Sequence, residues 1–358
     1  MSSVHLACKW RQNGQRKIQG ETIMKTPART VVSTRWRWVF GVAGGTLLLA
    51  LVAYFGIGYY IYDLFTTVHP RCGSVYMDGR REFTPSSFKG VYYPENNTDV
   101  QPYLVKNFET VEFPARLDGN TISGWFIPST TPSDRVVIVV HGADVCRKNT
   151  TVLLSSGMLA NNGFNVLSID LRNHGDSAVV SKRFTAGVTE YKDVLGAFDW
   201  LRKKGYAAEN IGVLGISMGA STSINAFGEE PAISALWADS AFADIPTVLD
   251  DQLALNGMPL FFADAVLIVA RLNGTNMDMD AISPIRSIQK LHGRPVAIVH
   301  GSKDEWVNVN SAYRLYDATG KTADLWIIDG TRHAEGMFVY PGEYEKRLAV
   351  FFSKALGK

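Results

Sequence analysis

IGVLGISMGASTSINAF, residues 211–227, decides how the rest of the chain is read. Its first six residues form a short apolar run, and from Met218 onward the residues become small and helix-compatible. A strand, a sharp turn at Ser217 and a helix are therefore expected. Gly215 and Gly219 flank the serine in the pattern G-x-S-x-G. Glycine at both positions lets neighbouring chain pass close by without a Cβ clash, and so tight a turn holds the serine in a strained conformation with its hydroxyl at the tip of a sheet. The start of the following helix aims unpaired N–H groups at the same spot, where negative charge would develop on a carbonyl under attack. A pattern this loose also arises by chance, so partners elsewhere in the chain have to decide it.

The surrounding sequence supplies a regular frame. Residues 108–116 alternate in polarity, Asp118-Gly119 turns the chain and residues 121–127 return, which reads as a β-hairpin. RVVIVV (135–140) is a continuous apolar strand of the kind buried on both faces of a parallel sheet. Residues 151–162 read as a helix closed by Gly163, and 164–170 as the next strand. Residues 190–204 read as an amphipathic helix with cations at its end and Gly205 as its stop. Further strands are expected at 233–237, 295–299 and 325–328, and a closing helix at 342–356. Strands alternating with helices require crossover connections, so the fold class is α/β, a mostly parallel sheet flanked by helices. Between about 241 and 292 the alternation breaks. This insertion includes MPLFFADAVLIVARL (258–272), whose apolar runs are interrupted by Asp264 and Arg271. It reads as a small helical cap that walls a pocket, not as a second membrane span.

A serine hydroxyl is a weak nucleophile near neutral pH and needs a base, which in turn needs an orienting group. His333, in GTRH (330–333), follows the last strand, and Asp304, in HGSKD (300–304), follows the strand before it. The order Ser217, Asp304, His333 is nucleophile, acid, base, with each residue at the carboxyl end of a strand, where α/β sheets build their sites. His141, His174, His292 and His300 read as structural or surface residues, since none follows the last strand. Asp239, after the strand at 233–237, is the alternative acid. Glu305 reads as a solvated neighbour and Cys146 as an inert thiol.

With these motifs in order, residues 108–356 resemble the α/β-hydrolases, of the serine-aminopeptidase-like and membrane-anchored α/β-hydrolase-domain type. The resemblance implies an α/β-hydrolase fold with a small helical cap. His141-Gly142 matches the family's His-Gly at the oxyanion loop, which makes the Ala143 N–H one oxyanion donor and the Met218 N–H the other. DLRNHGDS (170–177) resembles the family's D-x-R-G-x-G-x-S turn, a structural element, with Asn173 in place of its first glycine. Ala143-Asp144-Val145-Cys146 departs from the better-known oxyanion loops. The implied activity is serine hydrolysis of a carboxylic ester, a small-molecule ester or lipid, through an acyl-enzyme and without metal or organic cofactor. A peptidase or thioesterase using the same triad is one alternative, and a catalytically silent binding or scaffold protein on this fold is another.

The N-terminal part has a different character. Residues 1–37 carry eight Lys/Arg against a single acid, Glu21, so the net charge of +2 conceals a mildly acidic body with no electrostatic footprint for nucleic acid. This stretch reads as a basic cytoplasmic tail, with MKTPART at Met24 as an alternative start. Residues 38–62 are uncharged and long enough to cross a hydrocarbon core of roughly 30 Å, with Trp36 and Trp38 at one end and Tyr59, Tyr60 and Tyr62 at the other. The charge bias makes this an uncleaved anchor in the cell membrane, N-terminus in the cytoplasm and body outside. Residues 63–107 read as a stalk and lead-in, and 108–358 as the hydrolase domain. Of Cys8, Cys72 and Cys146, a bridge between the last two is one arrangement, but unpaired thiols are the expected state. Glycosylation sequons occur at Asn96, Asn149 and Asn273. Nothing in the sequence sets an oligomeric state.

Overall fold

A computed structural model describes residues 34–69, 72, 82–273, 279 and 281–357. Most of the basic tail, the alternative start at Met24, most of 70–81 and the end of the Asn273 sequon lie outside the described residues. In chain order the elements begin with α1 (Thr34–Thr66), β1 (Glu109–Pro114), β2 (Thr121–Ile127), β3 (Val136–Val140), α2 (Thr150–Asn161) and β4 (Asn165–Ile169). Next come α3 (Tyr191–Lys203), β5 (Ile211–Ile216), α4 (Met218–Glu229) and β6 (Ala235–Asp239), then the insertion helices α5 (Ile245–Leu255), α6 (Ala263–Leu272) and α7 (Pro284–Ser287). The chain closes with β7 (Val296–Gly301), α8 (Asn310–Ala318), β8 (Asp324–Ile328), α9 (Gly336–Val339) and α10 (Pro341–Ala355).

The strands form one sheet in the order β1-β2-β4-β3-β5-β6-β7-β8. β2 is antiparallel to both neighbours, and from β4 to β8 all pairs are parallel. The all-apolar β3 explains why helices must cover both faces. Val136, Ile138 and Val140 point into a layer shared with Val194, Phe198, Ile224 and Phe227, whereas Val137 and Val139 point into one shared with Leu154, Leu348 and Phe352. The chain leaves β3 toward β4 on one side and returns to β5 on the other. The crevice at the carboxyl ends of β3 and β5 is therefore the switch point at which such sheets bind ligands.

Strand and helix positions follow the sequence expectation to within two residues, with two instructive shifts. β6 runs two residues further than 233–237, so Asp239 is its last residue rather than a loop position. α6 has only ten residues, too short to cross a bilayer. Among the described residues, one helix is long and apolar enough to do so, α1.

Among the described residues, those up to Ala50 and those from Leu51 onward form two compact units. In the first, α1 exposes Trp36, Trp38 and Phe40. In the second, the remaining turns of α1 pack Ile61 and Tyr62 into a cluster with Leu249, Leu253, Val266 and Val269 of α5 and α6. The lead-in at 82–107 is part of the core: Phe88, Val100, Tyr103 and Val105 are buried in the layer that holds α2 and α10.

The expectation of unpaired thiols is corrected: Cys72 and Cys146 form a disulfide, with Cα atoms 5.2 Å apart across 74 residues of sequence. Spacing alone could not reveal this, because tertiary folding brings the two together. The sequon match at Asn149 falls on a structural residue. Asn149 is buried and caps α2, its Oδ1 accepting the Thr151 N–H at 3.0 Å, so it is not available to carry a glycan. Closing a loop this long restricts the unfolded chain, so Cys72→Ser/Cys146→Ser is expected to cost roughly 2–5 kcal/mol in chemical denaturation. A midpoint that is the same for the variant and the parent, with and without reductant, would contradict this contribution.

Candidate active site

Ser217 joins β5 to α4 at φ 58°, ψ −125°, a conformation that costs a non-glycine residue on the order of 1–3 kcal/mol. The surrounding backbone enforces it: the Ser217 N–H donates to Asp239 O at 2.8 Å, and α4 starts at once. A Cβ on Gly219 would collide with the carbonyl oxygens of Val140 and His141, and one on Gly215 with the backbone of Gly219 and Ala220. The two glycines thus allow α4 to sit directly on the ends of β3 and β5. A Cβ on Gly142 would lie 3.6 Å from Ser217 Oγ, which places the loop after β3 beside the serine.

Asp304 and His333 come together from the loops after β7 and β8. His333 Nδ1 lies 2.7 Å from Asp304 Oδ2, and both side chains are almost wholly buried. The other carboxylate oxygen accepts the N–H groups of Trp306 and Val307 at 2.9 Å each, and His300 Nε2 approaches Oδ2 at 3.1 Å. Burial pushes the Asp304 carboxyl up, but the facing His333 and His300 outweigh it and hold the group well below the usual carboxylate range. Burial likewise lowers His333, yet the facing carboxylate of Asp304 and its hydrogen bond win, and the imidazole is raised above 6.5. With Nδ1 engaged, Nε2 is the ring nitrogen left for a second partner.

The competing residues have other tasks. The Asp239 carboxylate accepts from Tyr344 Oη at 2.7 Å and Ser240 Oγ at 3.0 Å. His141 Nδ1 lies 2.7 Å from Gly142 O while Nε2 accepts the Leu171 N–H at 3.0 Å, so the ring is a neutral Nδ1–H tautomer that fastens the loop after β3 to that after β4. Burial lowers both His141 and the adjacent His174 to about 4. In the turn 170–177, Asp170 accepts the N–H groups of Arg147 and Asp176 and pairs with the buried Arg147 guanidinium. Asn173 stands at φ 67° and its Oδ1 accepts from Val180 and Ser181 at 2.8 Å, which explains how asparagine replaces glycine there.

Ser217, His333, Ala143 and Met218 all line one largely apolar cavity of about 320 Å³. Met218 is the first residue of α4, so its N–H has no helical acceptor. Three features of this site escaped the sequence reading. The end of α1 supplies a wall, through Tyr62, Leu64 and Phe65. His69 holds Asp144 by its N–H at 2.8 Å and Nδ1 at 2.9 Å, and with the disulfide this pins the loop 143–146 to the segment after α1. On the opposite side the lead-in fastens the histidine loop. Tyr93 Oη donates to His333 O at 3.3 Å, Asn96 to Glu335 at 3.1 Å and Thr98 to Phe338 O at 3.0 Å. All three features join segments far apart in sequence, and no local pattern announces them.

Comparison with known proteins follows the same geometry. Residues 152–358, more than half of the chain, match the prolyl oligopeptidase family. The chain belongs to that family. Among relatives of this prolyl oligopeptidase family member, the Bacillus subtilis (strain 168) protein YqkD is 30% identical over 272 residues, which cover 72% of this chain and 85% of YqkD. The Pyrococcus furiosus esterase Pf2001 superposes with a TM-score of 0.58 at 25% identity, covering 73% of this chain and 96% of the esterase. An acylaminoacyl peptidase of Pyrococcus horikoshii shares the fold at a TM-score of 0.53 and 19% identity, over 71% of this chain and 43% of the peptidase. The family member described here is accordingly a serine hydrolase of the α/β-hydrolase fold. Its Asp304–His333 contact has a direct readout: in NMR titration the His333 imidazole is expected to protonate above pH 6.5, and Asp304→Asn to lower that midpoint, while His141 stays neutral down to about 4. An unchanged His333 midpoint in the variant would refute the pairing.

Proposed function

We propose that the chain is a membrane-anchored hydrolase of carboxylic esters, with Ser217 as nucleophile, His333 as general base and acid, and Asp304 as the orienting carboxylate. The observation that carries this reading is the Asp304–His333 contact, which leaves the imidazole one free nitrogen in a cavity that also holds the strained Ser217. As Ser217 Oγ bonds to the ester carbonyl carbon, its proton passes to His333 Nε2, and the oxyanion takes the N–H groups of Ala143 and Met218. The tetrahedral intermediate then expels the alkoxide, which receives the proton from His333, and an acyl-enzyme remains. Water, deprotonated by the same imidazole, attacks that ester and frees Ser217. Asp304 keeps Nδ1 protonated throughout and stabilises the imidazolium. No step needs a metal or organic cofactor. An ester is preferred as substrate because the cavity walls are mostly apolar and the esterase Pf2001 resembles most of this chain. The family match supports peptide hydrolysis as the second reading.

Residues 38–62 serve as the anchor in the cell membrane, 1–37 as its cytoplasmic tail and 108–358 as the catalytic body, with 241–292 as its cap. Two independent features favour a body outside the cytoplasm: the basic charge ahead of the span and the Cys72–Cys146 disulfide, a bond that persists in oxidising compartments. A fluorophosphonate probe on the full-length protein is expected to label the parent and not Ser217→Ala, and p-nitrophenyl ester turnover to fall by a factor on the order of 10⁶ in the variant. The pH profile of kcat/KM is expected to rise with pH through a midpoint above 6.5, because the base must be neutral. Labelling that survives Ser217→Ala, or a folded parent that neither labels nor turns over, would overturn the assignment. Turnover of aminoacyl amides in place of esters would select the second reading.

A further inference from the structure

α6 is attached to α1, the one helix among the described residues that is long and apolar enough to cross a membrane. Tyr54 Oη donates to Phe261 O at 2.8 Å, and the Tyr54 ring stacks on Phe262 with centroids 5.7 Å apart. Further along α1, Gly58 meets Ala265 so closely that a Cβ on the glycine would lie 2.6 Å from the Ala265 Cβ. At the other end of α6, Val269 and Leu272 share a groove with Leu51, Val52 and Phe55. The turn before α6 thus lies beside residue 54, Ala265 beside residue 58 and the end of α6 beside residues 51–59, so α6 is packed against this part of α1 along its whole length.

Residues 51–58 all belong to the uncharged run 38–62. At about 1.5 Å per residue, a crossing that starts near residue 38 uses roughly 20 residues, so residues 51–58 occupy its last ~10 Å. α6 is held against that end of the run, and its composition suits a position at the interface. The outward side of α6 and of the turn Leu260–Phe262 before it carries Leu260, Phe261 (65% exposed), Ile268 and Leu272 (78% exposed), with Asp264 and Arg271 among them. Large apolar groups interspersed with charges on an interfacial helix dip ~5–10 Å into the headgroup and acyl boundary. In water the same residues would extend the exposed apolar surface of α1 without a partner.

The opposite side of α6 faces the catalytic cavity. Val266, Leu267 and Ala270 line it together with Tyr62, Leu64 and Phe65 from the end of α1, and Ser217 and His333 line the same space. α6 therefore stands between its exposed apolar side and the cavity that Ser217 and His333 line.

Resting on the anchored-hydrolase reading above, we propose that α6 is an in-plane helix of the extracytoplasmic leaflet, and that the cavity takes a bilayer-resident long-chain acyl ester from that leaflet at the junction of α1 and α6. The occupant of the exposed face is the bilayer that holds α1, because the face is continuous with α1 itself.

The test uses the full-length protein in phosphatidylcholine/phosphatidylglycerol vesicles. A nitrobenzoxadiazole label on Phe261→Cys, in a Cys8→Ser background, is expected to be quenched by doxyl-labelled lipids. The same label on Val350→Cys of α10 is expected to be spared. Phe261→Asp/Leu272→Asp is expected to lower hydrolysis of vesicle-embedded 4-methylumbelliferyl oleate by about tenfold or more, leaving the water-soluble butyrate ester within about twofold of the parent. Equal quenching at the two labels, or equal loss on the two esters, would overturn the proposal and leave the face to a protein partner or a second copy. Failure of the underlying reading looks different: the parent is stripped from vesicles by carbonate, or Ser217→Ala still hydrolyses the butyrate ester.

Discussion

The site depends on how closely α4 approaches the ends of β3 and β5. That approach exists because Gly215 and Gly219 have no Cβ where Val140 O, His141 O and the Ala220 backbone pass. Any side chain there would push α4 outward. Ser217 would then relax from its left-handed conformation, and the Met218 N–H would turn away from the loop that begins at Gly142. The strain at the serine is sustained by two fully buried layers of side chains above and below the sheet. The large core is thus part of the site's construction as well as the source of the fold's stability.

The sheet and the serine turn were legible because their causes are local. A five-residue apolar strand, a G-x-S-x-G turn and an amphipathic helix with a glycine stop each carry their conformation in a few adjacent residues. The pairing of Asp304 with His333 was legible for a related reason: parallel strands deliver all their carboxyl-end loops to one edge, so strand order alone predicts proximity. What could not be read is whatever joins distant segments. The thiol pair, the His69–Asp144 contact and the cavity wall from α1 each depend on where a segment remote in sequence ends up after folding. At Asn149 a sequence pattern for surface modification coincides with a buried helix cap, a position that only the fold reveals.

The two loops that frame the serine are restrained in different ways. The loop after β3 is tied by a covalent bond and an acid–histidine contact to the segment that follows α1, and by the neutral His141 to the turn after β4. The loop after β8 is tied to the lead-in by three hydrogen bonds and by Arg332, which pairs with Glu95 and lies over the Tyr93 ring. A rigid loop on each side places the hydrogen-bond donors of the cavity before any ligand arrives, the condition under which they act most strongly on developing charge.

The hold of Tyr93, Asn96 and Thr98 on residues 333–338 also bears on when the protein becomes competent during its synthesis. The lead-in is synthesised about 240 residues ahead of the loop that it grips. Everything between can collapse around the sheet while translation continues, yet the His333 loop has no settled place until it too has been made. The serine turn and the Asp304–His333 pair are therefore completed at different times during synthesis, the turn first.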